Sequence, residues 1–269
     1  MKKTDVLLNH SLESFSFSYL FTDAEPGATM LKRHVHSYYE LMLIDEGEVE
    51  YAVENRQYVL KKGDVLLIKP AEYHYARRVF KSPYKRYCIG FAASFAFDER
   101  LPEKIFESCR HIFCGVDSMI FKLATVLYER LKSFELYDTV FCQSILNTLL
   151  ISLDSEKSGT ESELPNESSN FSRILNYVNT NLTSIASVED ISRQLYFSRS
   201  YIMHLFKSEL RVGVMQYIRN KKILLAHLEI AKGKRPTEIF KECGFSNYTS
   251  FYRAYRAYFG FSPRGNKEN

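Results

Sequence analysis

The sequence has little of what marks several large functional classes. Its five cysteines are odd in number, scattered and without a CxxC pair, which argues against a disulfide framework or a zinc site. No segment approaches membrane-spanning length, and the first residues lack the apolar run of a signal peptide. No residue set resembles a catalytic triad, a phosphate loop or a kinase signature. We therefore expect a cytoplasmic protein that is not an enzyme, needs no cofactor and has no membrane partner.

Charge is divided unequally along the chain. The 269 residues are enough for two domains, each with its own core. Residues 169–269 hold 16 Lys and Arg against 7 Asp and Glu, whereas residues 1–168 hold 20 against 25. The C-terminal part is thus basic and the rest of the chain acidic. This division indicates that only the C-terminal domain binds a polyanion.

One helical unit occurs twice near the carboxyl end. Residues 198–207 and 247–256 superpose at an offset of 49. Apolar positions match apolar ones (Ile202 and Phe251, Phe206 and Tyr255), and basic positions match basic ones (His204 and Arg253, Lys207 and Arg256). In each copy the polar residues recur at helical spacing and form one stripe. A solvated helix face is the ordinary explanation of such a stripe, but a duplicated basic face favours a binding role.

A shorter helix precedes each copy, at residues 189–195 and 237–243. Gly244 follows the second of these and can take the positive φ that a tight turn requires. A helix, a turn and a second helix with a basic face describe a helix-turn-helix, whose second helix enters the major groove of DNA. The sequence therefore predicts two helix-turn-helix units, joined by a linking helix over residues 216–231.

This C-terminal part resembles the DNA-binding domain of AraC/XylS-type transcription regulators. The resemblance covers about the last hundred residues, and its carriers are Tyr201 to Lys207, Tyr217-Ile218, Gly244-Phe245-Ser246, Phe251, Arg253, Tyr255, Phe259-Gly260 and Ser262-Pro263. Tyr196 departs from the pattern, because a glycine is usual at its position in the first turn. The resemblance implies double-stranded DNA and RNA polymerase as partners.

Position-by-position matching with that family implies which side chains contact DNA. Those facing bases are Ser200, Met203 and His204 in the first unit and Thr249, Ser250 and Arg253 in the second. The guanidinium of Arg253 can make a bidentate contact to guanine. Phosphate contacts are expected from Arg199, Lys207 and Arg256.

The N-terminal half reads as short strands from residue 31 to residue 95, with turn signals at 45–47, 54–56 and 61–64. Even spacing of this kind predicts a small antiparallel barrel or jelly roll. Within it, His34, His36, Glu40 and Gly47 form a pattern that looks like the first motif of the cupin superfamily. Gly63, Pro70 and His74 form a looser version of the second motif.

Two interpretations of this constellation stay open. In metal-binding cupins three histidines and a glutamate hold a divalent metal, and His34, His36, Glu40 and His74 are the matching residues. AraC-type sensor domains share the pattern and generally work without metal, so we favour a metal-free ligand pocket lined by these four residues and Tyr87. A small polar metabolite such as a sugar is the expected effector.

Residues 117–153 carry apolar residues at helical spacing and predict two amphipathic helices. These helices could pack only on the barrel or could form the seam of a homodimer; we favour the homodimer, as the family resemblance implies. Residues 155–170 are polar, without an apolar period, and predict a linker.

The predicted fold is α+β, with three parts along the chain. Residues 1–154 form a cupin-like β-barrel with a helical dimerisation hairpin, 155–170 a linker, and 171–269 an all-α tandem helix-turn-helix domain. The predicted function is that of a ligand-responsive, sequence-specific transcription regulator. Two alternatives remain: a metal-dependent cupin enzyme, an isomerase or dioxygenase, with an appended DNA-binding domain, and a constitutive architectural DNA binder.

Overall fold

The computed structural model describes residues 3–23, 33–79, 83–133, 137–156, 164–165 and 169–264. The chain divides into two compact units, Met1–Pro165 and Asn166–Asn269. The first is built mainly of strands and the second of helices. This order confirms the predicted α+β class with a C-terminal all-α domain.

Antiparallel strands make up most of the N-terminal unit. They are β1 (Lys3–Leu12), β2 (Phe15–Asp23), β3 (Tyr39–Glu46), β4 (Glu48–Val53), β5 (Arg56–Lys61), β6 (Asp64–Ile68), β7 (His74–Val79), β8 (Tyr84–Phe91), β9 (His111–Phe113) and β10 (Leu164–Pro165). Their hydrogen bonds form two sheets, with strand orders β1-β2-β8-β3-β6-β9 and β10-β5-β4-β7. The predicted series of short antiparallel strands is confirmed.

The two sheets pack face to face. Met42, Ile44 and Leu66 of the larger sheet share one buried cluster with Tyr51 and Leu60 of the smaller sheet. Successive side chains of a strand point to opposite faces, so the intervening residues of the larger sheet face the other way. They form a second core, against helices.

Three helices cover this outer face: α1 (Arg100–Ser108), α2 (Met119–Arg130) and α3 (Asp138–Ser155). Ile120 and Leu127 of α2 and Leu149 of α3 are fully buried in one cluster with Leu41 and Ile89 of the sheet. The predicted helices are therefore present. Their main apolar stripes are used within the unit, and a seam between two chains would have to use their outer faces.

The predicted linker lies largely outside the described residues, which omit 157–163 and 166–168. Within it, Leu164 and Pro165 pair antiparallel with Gln57 and Arg56 of β5. Strand β5 lies beside β4 on one side, so its other edge can pair with an extended segment such as this part of the predicted linker.

Helices make up the described part of the C-terminal unit. They are α4 (Asn170–Thr180), α5 (Val188–Leu195), α6 (Arg199–Leu210), α7 (Val214–Ala231), α8 (Pro236–Glu242) and α9 (Tyr248–Phe259). The predicted bounds of the paired helices are met within about three residues. Across the described ranges, no helix in either unit is both long and apolar enough to span a bilayer.

Candidate functional site

The first basic face lies on α6, and its local sequence explains its orientation. The Ser198 side chain accepts a hydrogen bond from the Tyr201 amide at 3.2 Å and so begins the helix. Ile202 and Phe206 are fully buried, and the Phe206 ring centroid lies 5.4 Å from that of Tyr217. Burial of this stripe leaves the opposite stripe of α6 facing solvent.

All the first-unit residues predicted to contact DNA lie at the surface. Ser200, Met203, His204 and Lys207 are exposed along α6. Arg199 is exposed too, and its guanidinium is held by the Glu189 carboxylate of α5, with an N···O distance of 2.6 Å. The structure therefore brings the predicted side chains together on one face, with Arg199 already engaged by an acidic partner.

The second basic face lies on α9, which repeats this arrangement. Asn247 caps the helix by accepting from the Ser250 amide at 2.8 Å. Phe251 and Tyr255 are buried against Ile239 of α8. Every predicted DNA contact of this unit is exposed: Thr249, Ser250, Arg253 and Arg256. Within the described ranges, no ion pair engages either arginine, so both cations can meet an anion.

Helix α7 joins the two helix-turn-helix units. Its 18 residues span about 27 Å, somewhat less than the roughly 34 Å of one turn of the DNA duplex. It contacts α6 of the first unit and α8 and α9 of the second. Two recognition helices joined by such a connector would contact neighbouring segments of the major groove.

Sequence reasoning missed the role of Lys222 in this connector. Lys222 as a whole is 7% exposed, and its ammonium group donates to the carbonyls of Ile185 at 2.8 Å and Gly244 at 3.1 Å. Burial lowers the pKa of this lysine. Lys222 lies four residues after the buried Ile218, and this helical spacing was the one signal that it points inward.

In the N-terminal unit, the structure brings the four predicted pocket residues together. Glu40 lies on β3, His74 begins β7, and the backbone of His34 pairs with that of His74. The Glu40 carboxylate oxygen Oε2 is 3.1 Å from His36 Nε2 and 3.3 Å from His74 Nε2. His74 is fully buried, Glu40 is 9% exposed and His34 is exposed, so the cluster has one side towards solvent.

The ring of His36 is fixed by its neighbour Tyr38. The two rings stack at 3.8 Å with an interplanar angle of 3°. Tyr38 in turn fits over Gly90 of β8, where an added Cβ would lie 2.8 Å from the tyrosine ring. This close approach explains why a residue without a side chain occupies position 90.

The electrostatics of the cluster centre on Glu40. Burial alone would raise its pKa, but hydrogen bonding to His36 and His74 outweighs this and holds the pKa well below its usual range. On β8, Cys88 faces the same carboxylate, and burial with this nearby negative charge raises the pKa of its thiol to about 12. The carboxylate of Glu40 is therefore ionised and the thiol protonated at neutral pH.

Tyr87 does not join these residues, and the prediction that it lines the pocket is wrong. Its ring stacks on that of Tyr19 at 4.4 Å in the core beneath the helices. Side chains along β8 point alternately to the two faces of the sheet. The residues on either side of Tyr87, Arg86 and Cys88, therefore face the opposite side of the sheet, near Glu40. Sequence reasoning missed both, although period two along β8 was the signal for them.

A strand-built unit with an inward polar cluster, followed by a helical unit with two basic helix-turn-helix faces, defines a two-domain transcription regulator. Comparison with protein families agrees with this class. Residues 18–150 match the AraC-like ligand binding domain, and residues 191–268 match a helix-turn-helix domain. The chain belongs to the AraC family of transcription regulators.

Individual relatives are distant. The probable transcriptional regulator LumQ of Photobacterium leiognathi is 30% identical over 159 residues, which cover 56% of this chain and 60% of LumQ. The raffinose operon regulatory protein RafR of Pediococcus pentosaceus is 22% identical and matches over 93% of both chains. The crystal structure of fatty-acid-bound ToxT from Vibrio cholerae covers 95% of both chains at 14% identity, with a TM-score of 0.41.

Proposed function

We propose that this chain is a ligand-responsive regulator that binds specific DNA sequences through two helix-turn-helix units. In this proposal, a small polar metabolite binds the N-terminal unit, and binding changes how the C-terminal unit occupies DNA. The proteins act as homodimers and alter the access or activity of RNA polymerase at a promoter.

The observation that carries the proposal is the pair of matched basic faces on α6 and α9. Both faces expose side chains suited to base edges, and Arg253 can read guanine with two parallel hydrogen bonds. Lys207 and Arg256 flank these positions and suit phosphate oxygens. The joining helix α7, about 27 Å long, suits two recognition segments one turn apart.

A carbohydrate is the effector class that we favour. The region around Glu40 combines polar groups with aromatic rings, including Tyr38 and Tyr51, and such surroundings suit a polyhydroxylated ligand. Relatives whose names refer to sugar operons, such as RafR, support the same class.

Selection of binding sites by the full chain from a pool of random duplexes tests the DNA-binding half of this proposal. The expected result is a site with two conserved segments about 10 base pairs apart, bound with an affinity that falls steeply as salt rises. Uniform recovery of unrelated sequences would instead favour an architectural binder without sequence preference.

A thermal-shift screen of the full chain tests the sensing half. Sugars, other small metabolites and divalent metals are added in turn, since a ligand at 100 times its Kd stabilises a protein by about 2.7 kcal/mol. A sugar that raises the melting temperature should also change affinity for the selected DNA site. Stabilisation without any change in DNA affinity would contradict ligand-responsive regulation.

A further inference from the structure

The side chains of His34, His36, Glu40 and His74 converge on one point. Each offers one nitrogen or oxygen atom, and these four atoms all lie within 4.8 Å of one another. Three different segments supply them: the chain leading into β3 for His34 and His36, the start of β3 for Glu40, and the start of β7 for His74. Only a folded N-terminal unit places these donors together.

Backbone carbonyls fix the tautomers of the two inner histidines. His36 Nδ1 lies 2.9 Å from the carbonyl oxygen of Tyr38, and His74 Nδ1 lies 2.9 Å from that of Glu72. A carbonyl oxygen only accepts hydrogen bonds, so each Nδ1 must carry a hydrogen and donate it. In a neutral imidazole, the lone pair is then on Nε2.

Both Nε2 atoms point at the same oxygen of Glu40, which is also an acceptor when ionised. The distances are 3.1 Å from His36 and 3.3 Å from His74. His74 is fully buried, so its Nε2 is shielded from water. Where Nε2 carries a hydrogen, the two imidazoles donate to Glu40 as described above. Where Nε2 carries none, three lone pairs face one small volume, an arrangement that a cation between them would stabilise.

The spacing of these atoms suits a metal ion. Nitrogen and carboxylate ligands lie about 2.0–2.2 Å from Zn²⁺, so two ligands of one ion at tetrahedral or octahedral angles are roughly 3.0–3.4 Å apart. Both N···O distances given above fall within this range. Donation of the second ring nitrogen to a carbonyl is also the usual support of a metal-bound histidine.

We propose that His34, His36, Glu40 and His74 bind one divalent first-row transition ion. Three imidazoles and a carboxylate suit Zn²⁺, Ni²⁺, Fe²⁺ or Mn²⁺. This proposal differs from the metal-free ligand pocket that we favoured from the sequence alone. It does not depend on DNA binding or on the identity of an effector.

The test uses the full chain without a histidine tag, stripped by a chelator and titrated with Co²⁺ and then Zn²⁺. The expected result is one Co²⁺ per chain, with visible absorption that Zn²⁺ abolishes, and a higher melting temperature with either ion. His34→Ala, at an exposed position, and Glu40→Gln, of nearly the same shape, should each weaken binding by about 10-fold or more.

His10→Ala is the matched control, because His10 belongs to the same unit and lies on β1, outside the cluster. It should bind Co²⁺ as the natural chain does. Near-ultraviolet circular dichroism checks that each variant is folded. Failure of the folded natural chain to bind an ion, or equal binding by Glu40→Gln, His34→Ala and the natural chain, would overturn the proposal.

Discussion

The ammonium group of Lys222 donates a hydrogen bond to the backbone carbonyl of Gly244, at 3.1 Å. The same group donates to Ile185, in the loop that leads into α5. Gly244 also touches this loop directly, since a Cβ at this glycine would lie 2.0 Å from the Thr183 carbonyl oxygen. The turn of the second helix-turn-helix therefore rests on the entry to the first, which fixes the spacing of the two recognition helices.

Gly244→Ala should disrupt this contact. The residue has a φ of +76°, where an L side chain costs about 1–2 kcal/mol, and the added methyl group also collides with the backbone of Thr183. We expect the free energy of unfolding of the C-terminal unit to fall by more than about 2 kcal/mol, because strain and overpacking add. Urea denaturation followed by far-ultraviolet circular dichroism measures this.

Gly233→Ala separates the two causes. Gly233 has a φ of +92°, but a Cβ there would meet no atom within 4 Å. This variant should lose only the strain energy, about 1–2 kcal/mol, and should keep its DNA affinity. Equal destabilisation by both substitutions would show that the approach of Gly244 to Thr183 contributes nothing.

Tyr196→Gly should make the chain more stable. Tyr196 ends α5 with a φ of +58° and is 93% exposed, so its ring gains little from packing. Relief of left-handed strain, partly offset by the greater freedom of glycine in the unfolded chain, should raise the free energy of unfolding by about 0.5–1 kcal/mol. Tyr196→Ala retains the Cβ and should show no gain; a gain equal to that of glycine would place the cost in the ring instead.

The two recognition faces could be predicted because their pattern depends only on local spacing. Burial of Ile202 and Phe251 at helical period fixes which residues point outward, and the 49-residue repeat supplies a second observation of the same face. Local spacing from Ile218 could indicate that Lys222 points inward, but not what it binds. Its partners Ile185 and Gly244 are distant in sequence, and a lysine is seldom buried without such partners.

The N-terminal site was predicted only in part, for a related reason. His36 and Glu40 belong to one short motif, and the structure brings them together. Tyr87 was assigned to the wrong face, because a one-residue error in a strand moves a side chain from one core to the other. Its neighbour Cys88 holds the position near Glu40 that Tyr87 was expected to fill.

Arg253→Ala should weaken binding to the selected DNA site by about 1–3 kcal/mol and leave binding to random DNA nearly intact. The reason is that a bidentate contact to guanine is lost while phosphate contacts persist. Fluorescence anisotropy with both duplexes measures the two affinities. Arg256→Ala, also exposed on α9, should weaken both and reduce the salt dependence by about one unit. Equal losses of Arg253→Ala on both duplexes would make Arg253 a phosphate anchor.

A homodimer, if it forms through the N-terminal unit, should use the outer face of α3. Val140 is 61% exposed and Ile151 is 60% exposed. Between them, the hydroxyls of Ser144 and Thr148 donate to carbonyls of their own helix, each at 2.9 Å. Their donor hydrogens are thus already satisfied, and removing these hydroxyls from water costs less. This face carries no charged residue between Val140 and Ile151, which makes its burial against a second copy inexpensive.

If the natural chain dimerises as proposed, the double variant Val140→Glu and Ile151→Glu should be monomeric. Both positions are exposed, so each unit should fold as before, while paired carboxylates across a two-fold interface repel one another. Sedimentation equilibrium measures the association constant. Lys104→Glu, on the exposed side of α1, introduces negative charge elsewhere in the same unit and should leave association unchanged. Persistence of the dimer in the double variant would show that the dimer interface does not include this face of α3, because two desolvated carboxylates on each chain could not be accommodated there.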